Sequence, residues 1–194
     1  ENLAFAAAAH HVALPRLDPA LAEVADTVAA DLSLGLARQL AFAISLAHRP
    51  DVLVLDEPTS GVGPLGRARL WDGIAGQADQ GVAVLVTTHY MQEADQCDRL
   101  LLLSRGRLVA EGTRADVIGE TRALAVRTPT PSAAVEVLAA AGEILTMAGT
   151  TVRIADPDQQ RVEALLRSAG IEATLEWVPP TLDERMAVLE SQAG

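Results

Sequence analysis

Asp51-Val52-Leu53-Val54-Leu55-Asp56-Glu57-Pro58-Thr59-Ser60-Gly61 is the stretch that decides the fold: four apolar residues lead to two adjacent carboxylates, and the chain then turns at once. An unbroken apolar run of this length predicts a strand of a parallel sheet covered on both faces. Ligands of such sheets sit beyond the carboxyl ends of the strands. Asp56 and Glu57 are therefore placed where a metal and a phosphate chain bind. Read alone, the pair is also what an ordinary strand leaves as it enters a solvated turn, because Pro58 and Gly61 are common turn residues.

Two flanking segments remove that ambiguity. Upstream, Leu32-Ser33-Leu34-Gly35 heads a segment from 36 to 48 whose apolar residues recur at three- and four-residue spacing, which predicts a helix. Downstream, Val84-Leu85-Val86-Thr87-Thr88-His89 is a second apolar strand that ends in a histidine. Between the two strands, Pro64 suits a first helical turn and Gly81 a helix end, so the order strand, helix, strand predicts parallel pairing with a right-handed crossover.

In this order the three segments resemble the signature motif, the Walker B strand and the switch histidine of the nucleotide-binding subunits of ATP-binding cassette (ABC) transporters. The resemblance implies a partial P-loop NTPase α/β core with a residual helical subdomain. It implies ATP and Mg²⁺ as cofactors, with Asp56 as the metal-holding aspartate, Glu57 as the general base and His89 as the γ-phosphate contact. Ser33 and Gly35, at the start of the 36–48 helix, would face the nucleotide of a second, partner nucleotide-binding domain, since a helix N-terminus favours an anion. Ser33 is equally suited to a plain N-cap role. Leu34 stands where the family carries a glycine, Ile44 where it commonly has an arginine, and Gly63 where it has an aspartate. His10, His11 and His48 lie in no comparable context and are assigned no metal.

One feature of the composition opposes an independent ATPase. All 15 basic residues are arginine, so a G-x-x-x-x-G-K-[ST] loop, whose lysine reaches the β- and γ-phosphates, is present in no register. Glu1-Asn2-Leu3 resembles the opening of the family's helical subdomain, and the chain is expected to be the carboxyl-terminal part of a longer protein. Thr88 to Leu100 resembles the Thr-His-x-x-x-Glu-Ala-x-x-x-Cys-Asp-Arg stretch of drug-efflux and ABC-2-type subunits. The tail from Val178 to Glu184 resembles the Pro-Ser/Thr-Leu-Glu-Asp segment that closes them.

Helices are also expected over 3–14 and 20–30, a short one over 90–98, and a hairpin that turns at Arg105-Gly106. A boundary is expected near 112–121, which divides the chain into a partial nucleotide-binding domain (1–120) and an accessory or regulatory α/β domain (121–194). The latter spells β-α-β-β-α-β, the ferredoxin-like order, with strands at 122–127, 143–148, 150–155 and 171–177, helices at 131–141 and 157–169, and a final helix over 181–191.

The net charge of −11 is spread along the chain, with no basic cluster, and this argues against a nucleic-acid partner. No apolar run approaches the ~18 residues of a membrane span, so attachment to the cytoplasmic membrane face would run through a permease subunit. The one cysteine, Cys97, leaves no intrachain disulfide and fits a core position. The leading expectation is the energy-coupling ATP-binding subunit of an exporter. The alternatives are a catalytically silent module that completes a partner's ATP site and a soluble ABC ATPase of translation or repair.

Overall fold

The computed structural model describes residues 1–13 and 19–192. They divide into two compact units, Glu1–His89 and Tyr90–Gly194. Leu14 to Asp18, including the end of the expected 3–14 helix, lie outside the described residues.

In the first unit α1 (Asn2–Ala9) packs Leu3 and Ala6 against Ala47 at the end of α3 (Leu34–Leu46). The helix expected over 20–30 is instead a single turn, α2 (Pro19–Ala22), followed by turns and a short 3-10 segment at Ala29–Asp31. Leu21 is its one buried side chain, so it lacks the apolar stripe that stabilises a longer helix in a protein. Ser33 caps α3 by accepting a 3.4 Å bond from the Leu36 N–H.

Strand β1 (Val52–Asp56) pairs in parallel with β2 (Ala83–Thr87), in a register that aligns Asp56 with Thr87. The crossover is α4 (Pro64–Asp79), with Pro64 in its first turn and Leu70, Trp71 and Ile74 buried. Helices α3 and α4 pack closely where Gly73 faces Phe42: a Cβ at Gly73 would lie 2.8 Å from the Phe42 ring.

The sheet corrects one expectation. Strand β1 is not covered on both faces: Leu53 is 3% exposed, but Val52 and Val54 are 61% and 65% exposed and Leu85 is 53% exposed. Cross-strand partners share a face, so Val52, Val54 and Asp56 of β1 line up with Ala83, Leu85 and Thr87 of β2 on the open side. The continuous apolar run is the pattern of a strand with two buried faces, and among the described residues only one of those faces has its cover.

The second unit opens with α5 (Met91–Ala94), shorter than expected, and the antiparallel pair β3 (Leu100–Ser104) and β4 (Arg107–Gly112). Arg105 and Gly106 form their turn with φ of 50° and 75°, the two positive values that a two-residue hairpin matching strand twist requires. Helix α6 (Arg114–Ile118) starts with a capping box: Thr113 accepts from the Asp116 N–H, and the Asp116 carboxylate accepts from the Thr113 N–H at 2.9 Å. The Thr113 hydroxyl, which donates to that carboxylate at 2.7 Å, and then the Thr113 N–H hold the Asp116 carboxyl below the usual carboxylate range. Thr113→Ala is expected to lower the unfolding free energy of this unit by about 1 kcal/mol in urea titration.

The remainder follows the expected ferredoxin-like order: β5 (Ala123–Arg127), α7 (Pro131–Ala140), β6 (Ile144–Ala148), β7 (Thr151–Ala155), α8 (Gln159–Ser168) and β8 (Thr174–Val178). The sheet order is β6-β7-β5-β8, with every neighbouring pair antiparallel. Leu124, Val126, Val152 and Ile154 on one face form a dry core with Ala134, Leu138, Val162 and Leu166 of α7 and α8.

The final helix α9 (Leu182–Gln192) lies across β6 and β7 and also packs on α5 and α6. Its Leu182 and Leu189 join Ala94, Leu100, Leu102, Val117 and Ile118 in a second core. Because α9 returns to these earlier elements, the compact unit begins at Tyr90, upstream of the change in pattern at residues 112–121. Cys97 is half-buried just past α5, and burial, then Asp98 and Glu93, push its thiol pKa up. The thiol therefore stays protonated.

Candidate functional site

The site is built at the carboxyl ends of β1 and β2. Register puts Thr87 opposite Asp56, and the Thr87 hydroxyl donates to the Asp56 carboxylate. One residue further, the Glu57 N–H donates to both the Thr87 carbonyl and the Thr87 hydroxyl at 3.1 Å. Those bonds hold Glu57 at φ 42°, in the left-handed region that a residue with a side chain enters at a cost. The bend aims the Glu57 carboxylate at the next strand's end, where its Oε1 lies 3.0 Å from His89 Nδ1.

Both side chains of that pair remain about half exposed, 46% for Glu57 and 55% for His89, so they are paired with each other and open to a ligand. After Glu57 the chain turns tightly. The Ser60 N–H donates to the Glu57 carbonyl at 3.1 Å and the Val62 N–H to the Thr59 carbonyl at 3.0 Å, while Thr59 is buried.

The structure thus brings Asp56, Glu57 and His89 together. Thr87, which ties the first two to β2, was not singled out from sequence; aligning the ends of the two parallel strands is the operation that finds it. Ser33 and Gly35 occupy the head of α3, beside the loop that follows Glu57. Leu34 packs against Gly61, where a Cβ would lie 2.6 Å from its Cδ2, and Gly35 faces Val62. Gly61 carries φ 73°, so the close approach and the backbone conformation both demand glycine there. A side chain at Gly63 would meet nothing within 4 Å.

Among the described residues no cluster of three or more His, Cys, Asp or Glu forms a metal cage. A hard cation such as Mg²⁺ needs none, since it is commonly held by one or two carboxylates plus substrate phosphates and water. Asp56, at an open strand end with a hydroxyl fixing one oxygen, fits that role. The donor set does not fit the remainder of a triphosphate site, because the chain has no lysine to place on the phosphates.

The parallel β-α-β crossover thus ends in a carboxylate pair and a facing histidine. No family model matches the chain. It is 50% identical over 97 residues to the probable multidrug ABC transporter ATP-binding protein YbhF of Escherichia coli K12, covering 50% of this chain and 17% of that protein. It is 39% identical over 184 residues to the daunorubicin resistance ATP-binding protein DrrA3 of Streptomyces coeruleorubidus, covering 88% of this chain and 57% of that one. Among solved structures, an ATP-binding subunit of an ABC transporter matches with TM-score 0.53 and 28% identity, over 60% of this chain and 53% of that one. The chain is a homologue of the ATP-binding proteins of ABC transporters, and it spans between about a sixth and somewhat over half of the length of these relatives.

Proposed function

We propose that the chain forms the Walker B and switch half of an ATP site in an ABC exporter, and that a lysine-bearing phosphate loop outside these residues completes it. The observation that carries this reading is the 3.0 Å Glu57–His89 pair set beside Asp56 at the ends of two in-register parallel strands. Asp56 would hold the Mg²⁺ of the nucleotide. Bound Mg²⁺-ATP supplies the electrophilic phosphorus and the leaving group.

The protein's own contribution is proton handling and orientation. Glu57 Oε1 is positioned to accept a proton from water, a role typically worth ~10²–10⁴-fold. His89 Nδ1 holds that carboxylate in place, and the half-exposed ring stands where it would meet a phosphate oxygen. Ser33 and the N–H groups at the start of α3 would serve the nucleotide held by the second nucleotide-binding domain of a two-subunit sandwich. Under this assignment residues 1–120 belong to the nucleotide-binding domain and 121–194 are accessory.

The open apolar face of Val52, Val54 and Leu85 leads directly to Asp56, and it supports the same reading, since further protein covering that face would arrive beside the carboxylates. No helix among the described residues is long and apolar enough to cross a membrane; attachment to the cytoplasmic face through a permease subunit is part of the same proposal. Export is the direction named for a further relative, the Nod factor export ATP-binding protein I of Burkholderia lata, 44% identical over 109 residues, 55% of this chain and 36% of that one.

Affinity purification from solubilised membranes tests the transport role: a polytopic protein is expected to accompany the chain, and recovery with ribosomes or DNA instead would sink it. A catalytically silent module that completes a partner's site is the second reading. It is favoured by the missing lysine and by the Leu34 side chain, which fills the space beside Gly61 at the head of α3. ATPase activity in the presence of a lysine-loop partner separates the two, because the silent module leaves that activity insensitive to Glu57.

A further inference from the structure

One side chain of β2 touches both residues that end β1. The Thr87 hydroxyl donates to Asp56 Oδ1 and accepts from the Glu57 N–H at 3.1 Å. A hydroxyl has a single proton to give, and an ionised carboxylate can only accept. The proton of Thr87 is therefore committed to Asp56, and its lone pairs are left to the Glu57 N–H.

The three groups form a directed chain, from the Glu57 N–H through the Thr87 oxygen to the Asp56 carboxylate. Bonds linked in this way polarise one another, and a bond to an ionised acceptor is stronger than a neutral one. The negative charge on Asp56 draws on the hydroxyl proton, which makes the Thr87 oxygen a better acceptor for the amide of the very next residue.

That amide belongs to a residue whose backbone needs holding. Glu57 has φ 42°, and its carbonyl accepts from the Ser60 N–H at 3.1 Å to start the turn. Because a residue with a side chain enters this region at a cost, the bonds on its N–H decide how firmly the bend is kept. The bond to the Thr87 carbonyl, at 3.1 Å, is one that any residue at 87 would supply. The bond to the hydroxyl exists only because residue 87 carries one.

The strand itself does not ask for that hydroxyl. Thr87 ends β2 in the row of Ala83 and Leu85, where valine, equally β-branched, would suit a strand as well.

We infer that Thr87 is a positioning residue for Glu57 and that the charge on Asp56 acts through it. By way of one hydroxyl, the last carboxylate of β1 stiffens the backbone bend that brings Glu57 Oε1 to 3.0 Å from His89 Nδ1. The aspartate and the glutamate are then one coupled unit and not two independent groups. That Asp56 holds a metal and Glu57 takes a proton rests on the functional reading above; the coupling itself does not.

Amide hydrogen exchange at Glu57, followed by NMR on the whole chain without nucleotide or added metal, tests this. Rates are taken relative to the unstructured rate of each sequence, because residue 56 precedes the amide. Thr87→Val keeps the shape and loses the hydroxyl; Asp56→Asn keeps an acceptor oxygen and loses the charge. Thr87→Val is expected to lower the protection of the Glu57 amide about 5-fold, the change that one ordinary hydrogen bond produces. Asp56→Asn is expected to lower it by a smaller factor, and the double variant no further than Thr87→Val alone. Thr87→Ser, which restores the hydroxyl, is expected to keep the parent value. The protected ladder amides between Val52 and Leu55 are expected to keep theirs in every variant.

A Glu57 amide that is unprotected in the parent, or unchanged in Thr87→Val or in Asp56→Asn, would overturn the inference. So would a Thr87→Ser variant that behaves like Thr87→Val. Effects that add in the double variant would overturn it as well, because Asp56 would then reach Glu57 by another route. Loss of the ladder amides along with Glu57 would do the same, since the hydroxyl would be supporting the sheet and not the bend. Because no nucleotide is present, the coupling can hold while ATP turnover is absent, and the two readings fail separately.

Discussion

Glu57→Gln is expected to cut ATP turnover by ~10²–10⁴-fold in an assembly that supplies the lysine loop, with little change in the KM for ATP. The substitution removes the proton-accepting oxygen and keeps the shape and most of the hydrogen-bonding capacity of the side chain. The backbone bend at φ 42° is set by the bonds from the Glu57 N–H to Thr87, which glutamine retains. His89→Ala is expected to act through the same group, because it deletes the 3.0 Å contact that orients the Glu57 carboxylate. Its effect should therefore be strongly non-additive with Glu57→Gln. Steady-state turnover of the two single variants and the double variant checks this, and full additivity would refute a shared role.

The second large effect concerns stability. Glu184→Ala removes one partner of a buried ion pair and leaves the Arg153 guanidinium, 16% exposed, without its carboxylate. Breaking such a pair from one side typically costs about 3–5 kcal/mol. Burial by itself raises the Glu184 carboxyl pKa, but the Arg153 and Thr181 hydrogen bonds and the Arg153 charge outweigh it and hold the group below the usual carboxylate range.

A depressed folded-state value means that the contribution is fully present above the unfolded value, about pH 4.3 for glutamate, and is lost as pH falls through the folded one. Asp183 works in the opposite sense: burial and then the Glu184 charge raise its pKa, so its cost is relieved on acidification. Urea unfolding followed by circular dichroism should show a large deficit for Glu184→Ala at pH 7 that narrows once the pH drops below about 4. A deficit that stays constant with pH would show that the lost stability comes from packing and not from the charge.

The parts of the fold that sequence made legible are those specified by local pattern. The β1 run, the α3 periodicity, the Arg105-Gly106 turn and the β-α-β-β-α-β order each carry their own turn and spacing signals, and each is present within three residues of its expected bounds, the start of β8 being the furthest off. What escaped the sequence depends on partners distant in the chain. The 20–30 segment has helix-forming residues but one buried anchor, and α9 decides where the second unit begins by returning to α5 and α6.

The site divides along the same line. Adjacent carboxylates after a strand are visible as letters, as is the histidine that ends the next strand. Thr87 and Arg153 are not, because their importance lies in a register and in a helix packed from about thirty residues away. The open side of β1 is not legible in the sequence for a related reason: an apolar run reports how a strand is suited to be covered, not which residues do the covering.

The most direct test of the account is ATP turnover in Mg²⁺, measured on the chain alone and after addition of a polypeptide that carries the G-x-x-x-x-G-K-[ST] loop of an ABC ATPase. The account predicts that the chain alone is indistinguishable from its Glu57→Gln variant and that turnover sensitive to Glu57 arises only in the mixture. Turnover by the chain alone that Glu57→Gln abolishes would contradict it, because the phosphates would then be held without the lysine loop.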